Sequence, residues 1–160
     1  MSLKNIGVIG AGTMGNGIAQ TCAIRGYNVI MQDVSDKVAQ KGLDALGSSL
    51  ERLVKKDKIT QEACTQALAR IQTTTDIEAM AECDLVVEAA SENMDVKLPI
   101  FSKLHAICQE SAILASNTSS LSLTRIAAAS GRAERVIGMH FFNPVPLMAL
   151  VEVIRALQTS

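Results

Sequence analysis

The stretch KNIGVIGAGTMGNGIAQTCAIRGYNVIMQD, residues 4–33, decides the fold of this chain. It opens with the apolar run 6–9, which is too short for a helix and predicts a buried strand. A glycine-rich turn with the pattern G-x-G-x-x-G follows at 10–15, and apolar residues then recur at helical spacing. A second apolar run, 29–31, leads to Asp33. The order of strand, glycine turn, helix, strand and acid predicts a βαβ unit.

The glycine turn has the spacing of a dinucleotide-binding site. Gly10 allows a sharp turn, Gly12 allows a pyrophosphate to approach the backbone, and Gly15 allows the helix to pack closely on the strand. The N–H groups at the start of the helix then face the phosphates. Asp33 lies 18 residues after Gly15, near the offset of about 20 expected of an acid that binds ribose hydroxyls. The alternative is a tight βαβ turn without a ligand, but the elements around the motif favour dinucleotide binding.

Asp33 also favours NAD over other dinucleotides. Its carboxylate would repel the 2′-phosphate of NADP, and residues 34–37 contain no arginine that would accommodate it. Lys37 is the one cation there that could move toward such a phosphate. FAD is a weaker alternative, because nothing later in the chain indicates a site for its ring system.

The composition bounds the class of protein. The 160 residues suit one domain, and the core must be aliphatic because 48% of residues are hydrophobic but only 2% aromatic. A net charge of −1 argues against nucleic acid as a partner. Residues 5–24 are uncharged, but they contain five glycines and several polar side chains, which argues against a membrane span. The four cysteines form no C-x-x-C pair, so we expect no metal site and a reducing, cytoplasmic environment.

The rest of the chain alternates strands and helices. A helical pair, 36–58 and 60–71, forms an insertion over about 36–72 that is larger than an ordinary crossover. Further strands are predicted at 71–75, 84–90, 112–115, 135–139 and 150–154, with helices at 93–108 and 122–129. This order predicts an α/β fold with a doubly wound, mostly parallel sheet of the Rossmann type. Polar residues follow three strands and should meet at the edge of the sheet that the glycine turn occupies, at 91–93, 116–120 and 140–143.

Four segments that together span the chain carry a family resemblance: GVIGAGTMGNGIAQ (7–20), DLVVEAASEN (84–93), SNTSSL (116–121) and HFFNPVPLMALVEVI (140–154). They resemble the 3-hydroxyacyl-CoA dehydrogenase family, and most of all its bacterial 3-hydroxybutyryl-CoA dehydrogenases. The resemblance implies NAD-dependent oxidation of an (S)-3-hydroxyacyl-CoA to the 3-ketoacyl-CoA, or the reverse, in fatty acid and butanoate metabolism.

The resemblance also implies a role for individual residues. NAD contacts are expected at Gly10, Ala11, Gly12, Thr13, Met14, Gly15, Asp33, Glu92, Lys97, Ser119 and Asn143. Coenzyme A contacts are expected at Ser49, Lys56 and Ser119. Alone, the basic stretch 52–58 is typical of a solvated helix end, but the resemblance makes Lys56 a phosphate contact. The resemblance makes His140 the general acid/base and Glu152 its partner, while Ser119 binds the substrate oxygen.

These implied roles agree with elementary chemistry. A histidine such as His140 can take a proton from the C3 hydroxyl near neutral pH. Glu152 can fix its tautomer, and the hydroxyl of Ser119 can donate to an oxygen on which negative charge develops. We predict that the other histidine, His105, lies on the surface of a helix. Glu88, inside a strand, is equally well explained as a polar residue at the sheet's edge or as a functional residue.

The chain departs from the family at its end. Family members continue into an all-helical second domain that supplies the dimer interface, whereas this sequence stops at Ser160. We therefore expect residues 1–160 to be one NAD-binding domain, truncated before that second domain, with a homodimer as the complete form. Two alternatives stay open. One is an NAD-binding module without turnover, and the other is a 3-hydroxy acid or polyol dehydrogenase that does not require coenzyme A.

Overall fold

The computed structural model describes residues 3–160, which form an α/β domain with a mostly parallel sheet and confirm the predicted fold class. The strands are β1 (Asn5–Ile9), β2 (Asn28–Gln32), β3 (Ile71–Thr74), β4 (Leu85–Glu88), β5 (Ile113–Ser116), β6 (Val136–Phe141) and β7 (Val151–Arg155). The helices are α1 (Thr13–Ile24), α2 (Asp36–Lys55), α3 (Gln61–Ala69), α4 (Met94–Ile107) and α5 (Leu123–Ser130). Short 3₁₀ helices, which the sequence pattern did not predict, occur at Ile77–Glu82 and Ala133–Arg135.

The sheet reverses its winding direction between β1 and β4. Across the described residues the strand order is β3-β2-β1-β4-β5-β6-β7, and every neighbouring pair is parallel except β6–β7. The chain therefore moves outward from β1 to β3, returns to β4 beside β1, and continues to β7. In such sheets ligands bind outside the carboxyl ends of the strands at the point of reversal.

Two hydrophobic cores cover the two faces of the sheet. Successive side chains of a strand point to opposite faces, so Val8 joins one cluster and Ile9 the other. The first cluster packs α1 and α2 on the sheet, with Leu46 fully buried. The second packs α4 and α5, with Phe101 and Ile126 fully buried. Both cores are mainly aliphatic, as the composition predicts, and they bury the central strands on both sides.

The predicted helical pair, α2 and α3, lies between β2 and β3. The helix predicted over 36–58 ends earlier, because Asp57 has φ +53°, a left-handed backbone that stops α2. Thr60 caps α3, since its hydroxyl accepts a hydrogen bond from the N–H of Ala63. The predicted end of α3 was too late, because Ile71 already begins β3.

Helix α4 starts at the carboxyl end of β4. Asn93 caps it by accepting a hydrogen bond from the N–H of Asp95 at 2.8 Å. Pro99 lies inside the helix and does not delay its start. Over residues 3–160, no helix is both long and apolar enough to cross a bilayer.

Candidate active site

The glycine turn between β1 and α1 leaves open space above its backbone. Gly10 has φ +98°, a left-handed conformation that favours glycine. A Cβ at Gly15 would lie 1.7 Å from the carbonyl oxygen of Gly10, so α1 can pack on the turn only without a side chain there. In contrast, a Cβ at Gly12 would meet no atom of residues 3–160 within 4 Å. The space above Gly12 therefore opens at the N-terminus of α1, which begins at Thr13. At that end of a helix the dipole favours an anion.

Asp33 follows β2 and is bound to the glycine turn. Its Oδ2 accepts a hydrogen bond from the N–H of Ala11 at 2.7 Å, and its Oδ1 accepts one from the N–H of Val34 at 2.7 Å. The carboxylate lines a cavity of about 750 Å³ that extends from Gly10 and Gly12 to α4. Its size is in the range of small-molecule sites, and it can hold the adenosine half of a dinucleotide.

A second cavity, of about 220 Å³, adjoins the first at the end of β4. Ala89 and Ala90 line both cavities. Met14 of α1, Lys97 of α4 and Ser119 of the loop after β5 line the second cavity. Glu92 lines it as well, so four residues for which the sequence predicts cofactor contacts line one cavity.

Glu92 organises the loop after β5. Its Oε1 accepts hydrogen bonds from the hydroxyl of Thr118 and from the N–H groups of Ser119 and Ser120, the latter two at 3.0 and 3.3 Å. Partial burial alone would raise the pKa of Glu92, but these hydrogen bonds and the nearby Lys97 ammonium hold that pKa below its usual range. The carboxylate is therefore charged at neutral pH and fixes Ser119 next to β6.

His140 and Glu152 are directly opposite each other in the antiparallel pair β6–β7. Opposed residues of such a pair project to the same face, so the register brings the two side chains together. His140 Nδ1 lies 2.8 Å from Glu152 Oε2, and His140 Nε2 lies 3.1 Å from the hydroxyl oxygen of Ser119. Because a carboxylate only accepts, Nδ1 donates to Glu152, and Nε2 accepts from the hydroxyl of Ser119. The basic nitrogen of the imidazole therefore lies next to the cavity that Ser119 lines.

Two further residues support this site without having been assigned to it from the sequence. Asn117 Oδ1 accepts a hydrogen bond from the N–H of Phe141 at 2.9 Å and so fastens the end of β6. Glu88 is 0% exposed at the end of β4 and forms an ion pair with Lys97. The sheet-edge explanation of Glu88 does not apply, because β4 lies between β1 and β5. The signal in the sequence was an acid at a strand end followed, nine residues later, by a lysine on the next helix.

Three predicted contact residues belong neither to the glycine turn with Asp33 nor to the hydrogen-bonded cluster around Glu92 and His140. Asn143 is exposed in the loop after β6. Ser49 lies in the second half of α2, and Lys56 is the exposed C-cap of that helix. Within residues 3–160 none of these side chains forms a hydrogen bond or ion pair. Near the end of α2, a cavity of about 340 Å³ is lined by two further cations, Arg25 and Lys58.

The remaining candidate residues lie outside the site. His105 is exposed on α4, as predicted, and its Nδ1 accepts a hydrogen bond from Arg132 Nε at 3.3 Å. The four cysteines are free, and burial raises the pKa of Cys22 to about 11 and that of Cys83 to about 12. Such thiols stay protonated at neutral pH. In the part of the chain that the structure describes, no three His, Cys, Asp or Glu side chains gather as metal ligands would.

Comparisons with known proteins agree with this geometry. Residues 5–160 match the family model described as 3-hydroxyacyl-CoA dehydrogenase, NAD binding domain. The 3-hydroxybutyryl-CoA dehydrogenase of Bradyrhizobium diazoefficiens is 50% identical over 158 residues, which cover 99% of this chain and 54% of that protein. The 3-hydroxyadipyl-CoA dehydrogenase of Escherichia coli is 43% identical over 160 residues, which cover 100% of this chain and 34% of that protein.

A solved structure gives the same result in three dimensions. The crystal structure of (S)-3-hydroxybutyryl-CoA dehydrogenase from Ralstonia eutropha superimposes with a TM-score of 0.97 at 55% identity. The match covers 99% of this chain and 56% of that one. The chain thus spans about half the length, or less, of the known proteins that it matches.

Proposed function

This chain belongs to the 3-hydroxyacyl-CoA dehydrogenase family, because it matches the NAD binding domain of that family. We propose that it catalyses the NAD-dependent oxidation of an (S)-3-hydroxyacyl-CoA to a 3-ketoacyl-CoA, and the reverse reaction. The observation that carries the proposal is the His140–Glu152 pair, whose imidazole also contacts Ser119 beside a cavity. The proposed substrate is 3-hydroxybutyryl-CoA, since a relative named 3-hydroxybutyryl-CoA dehydrogenase is 50% identical over nearly the whole chain.

NAD is the cofactor of this domain, and the residues of the chain fit it. The open space at Gly12 and the N-terminus of α1 suit a pyrophosphate. Asp33 suits ribose hydroxyls and disfavours a 2′-phosphate, which supports NAD over NADP. Glu92 and Lys97 would hold the part of the cofactor nearer His140, because they line the second cavity. NAD bound there would supply the hydride acceptor for C3 of the substrate, and NADH would supply the hydride for the reverse reaction.

The proton chemistry is assigned to three side chains. His140 Nε2 takes the proton of the C3 hydroxyl during oxidation and returns it during reduction. Glu152 accepts the Nδ1 hydrogen bond throughout, so it keeps the tautomer fixed and offsets the charge of the imidazolium. The hydroxyl of Ser119, which donates to Nε2 in the free site, turns to the substrate oxygen when the substrate binds and donates to it as negative charge develops there. Asn143, in the loop directly after β6, is assigned a cofactor contact on the family resemblance.

Coenzyme A is assigned to the basic end of α2. Ser49 and Lys56 supply the contacts implied by the resemblance, and support comes from the exposure of Lys56 and from the two further cations nearby. An ammonium at a helix end with no acidic partner among residues 3–160 is well suited to a phosphate.

Replacing Lys56 with glutamate should raise the KM for acetoacetyl-CoA about tenfold, the equivalent of one charge-assisted hydrogen bond. The KM for NADH should not change, because Lys56 lines neither of the two cofactor cavities. Lys41→Glu is the matched control, since it reverses an exposed charge on the same helix. Equal effects of Lys56→Glu on both substrates would instead favour a 3-hydroxy acid or polyol dehydrogenase without a coenzyme A requirement.

A second candidate function is an NAD-binding module that does not turn over substrate by itself. The observation that favours it is the coverage of the relatives, since the chain matches only 54% of the Bradyrhizobium protein. In that case a part of the protein beyond this match would complete the active site.

The deciding experiment follows oxidation of NADH by this chain with acetoacetyl-CoA, with NADPH in parallel. We expect turnover with NADH and at least about tenfold lower kcat/KM with NADPH, because Asp33 repels the 2′-phosphate. Binding of NADH without turnover would favour the binding module. A folded chain that neither binds nor oxidises NADH would contradict both candidates.

The cellular context is also a proposal. We propose a cytoplasmic protein of fatty acid and butanoate metabolism whose complete form is a homodimer with an acyl-CoA substrate. The free cysteines support the reducing location. The pathway and the dimer rest on the family resemblance, and the near-neutral charge argues against nucleic acid as a partner.

A further inference from the structure

Glu88 is a buried charge that takes no part in the proton chemistry proposed above. It is 0% exposed, and its carboxylate accepts four hydrogen bonds, each 2.8 Å long. Lys97 Nζ donates to both oxygens, the hydroxyl of Ser116 donates to Oε2, and the N–H of Ala90 donates to Oε1. Apolar residues of similar volume are often as stable as a buried ion pair, so stability alone is a weak explanation for this arrangement.

Among residues 3–160, the ammonium of Lys97 has one hydrogen-bond donor without an acceptor. Lys97 is only 1% exposed, but it lines the 220 Å³ cavity. An ammonium has three N–H donors, of which Glu88 receives two. The other nearby acid, Glu92, has its Oε2 at 3.7 Å, which is too long for a hydrogen bond. The third donor is therefore available to a ligand atom in the cavity.

The charges around this cavity favour a neutral ligand. One ammonium, Lys97, lies between two carboxylates, Glu88 and Glu92, so the cluster carries a net negative charge. A phosphate would be repelled, whereas a hydroxyl can accept from Lys97 and donate to Glu92. The cavity adjoins the glycine-turn cavity at Ala89 and reaches Ser119, which contacts His140. This is the side of the site on which the nicotinamide half of the cofactor has to lie.

We propose that Glu88 is a positioning residue, which fixes the Lys97 ammonium so that it binds the ribose hydroxyls on the nicotinamide side of NAD. The inference rests on the proposed function, because it presupposes NAD. Glu88 itself does not line the cavity. It acts through Lys97, and Ser116 and the N–H of Ala90 hold its carboxylate in place.

Glu88→Gln is the direct test, with NADH and ADP as the two ligands. Glutamine keeps the shape of the side chain but removes the charge, so the ammonium is drawn toward Glu92. We expect the Kd for NADH to rise at least about tenfold, as for the loss of one charge-assisted hydrogen bond. The Kd for ADP should not change, because ADP lacks the second ribose and uses only the glycine-turn cavity. Glu110→Gln, at an exposed glutamate after α4, is the matched control.

NADH fluorescence measures the Kd for NADH, and calorimetry measures the Kd for ADP. A folded Glu88→Gln variant that binds NADH as tightly as the wild type would overturn the proposal. Equal weakening of NADH and ADP would overturn it as well, because that result indicates a general disturbance of the fold. A wild-type chain that binds ADP but not NADH would instead count against the proposed function.

Two further variants separate positioning from stability. Glu88→Gln alone leaves a buried ammonium without its counter-charge, which lowers Tm. Adding Lys97→Met removes that ammonium, so the double variant should recover Tm but not NADH affinity. Recovery of both would show that the pair is only structural and would overturn the proposal.

Ser116→Ala is a milder variant for the case that Glu88→Gln does not fold. It removes one hydrogen bond to Glu88 and leaves the ion pair with Lys97 intact. We expect NADH binding to weaken about threefold, with unchanged ADP binding. Unchanged NADH binding by a folded Ser116→Ala variant would count against the proposal.

Discussion

Replacing His140 with glutamine should lower kcat for acetoacetyl-CoA by about 10²- to 10⁴-fold, the range that general acid–base catalysis contributes. Glutamine keeps a polar side chain opposite Glu152, but it cannot take up and release a proton near neutral pH. The affinity for NADH should not change, because His140 lines neither of the two cofactor cavities. Steady-state kinetics and NADH fluorescence, measured on the same sample, check the two halves of this expectation.

The chain itself provides a matched control for this change. It has two histidines, and His105 is exposed on α4, away from the residues that contact His140. His105→Gln makes the same chemical change and should leave turnover at the wild-type level. Substantial turnover by His140→Gln would contradict the assignment of the general acid/base. If the variant lost both NADH binding and turnover, the fold would be damaged rather than the proton chemistry alone.

The second large effect is expected at the glycine turn. Gly12→Val should weaken the binding of NADH and of ADP by about a hundredfold, or about 2.7 kcal/mol, because the new side chain occupies the space that the pyrophosphate needs. The fold should tolerate the substitution, since a Cβ at Gly12 meets no atom of residues 3–160 within 4 Å and the backbone there is extended. Calorimetry with both ligands measures the loss of affinity, and a thermal melt shows whether the fold tolerates the substitution.

Gly47→Val is the control for this substitution. Gly47 lies on α2, and a Cβ there also meets nothing within 4 Å among the described residues. This variant should bind NADH and ADP as the wild type does. If Gly12→Val kept full affinity, the phosphates could not lie at the N-terminus of α1. The pattern also differs from that of Glu88→Gln, which should weaken NADH alone.

Much of the fold could be predicted because its signals are local. The glycine turn, the acid at Asp33 and the alternation of apolar runs with amphipathic helices identified the doubly wound sheet and most of its elements. Local signals place element ends less well. Helix α2 stops because Asp57 adopts a left-handed backbone, and nothing in the residue types of 52–58 requires this.

The candidate site depends on contacts between residues far apart in the sequence. His140 and Glu152 were candidates from the sequence, but their contact depends on the β6–β7 register, in which a shift by one residue would place Glu152 on the other face. Glu88 was not assigned from the sequence, because the spacing of the acid and the lysine does not by itself show that Glu88 is buried and paired with Lys97. The role of Lys56 remains a prediction, since its expected partner is a ligand.

The position of β6 and β7 at one end of the strand order has a consequence for protein engineering. The residues proposed to bind the nucleotide come from the turn after β1, the end of β2 and the segment after β4, whereas His140 and Glu152 belong to an outer hairpin. Among residues 3–160, that hairpin joins the rest of the sheet only through β5, and the loop 142–150 connects its strands. Exchanging β6 and β7 would therefore change the proton-transfer pair, but the loop 142–150 has to be retained, because it carries Asn143 and because Val145 packs against Gly17 of α1.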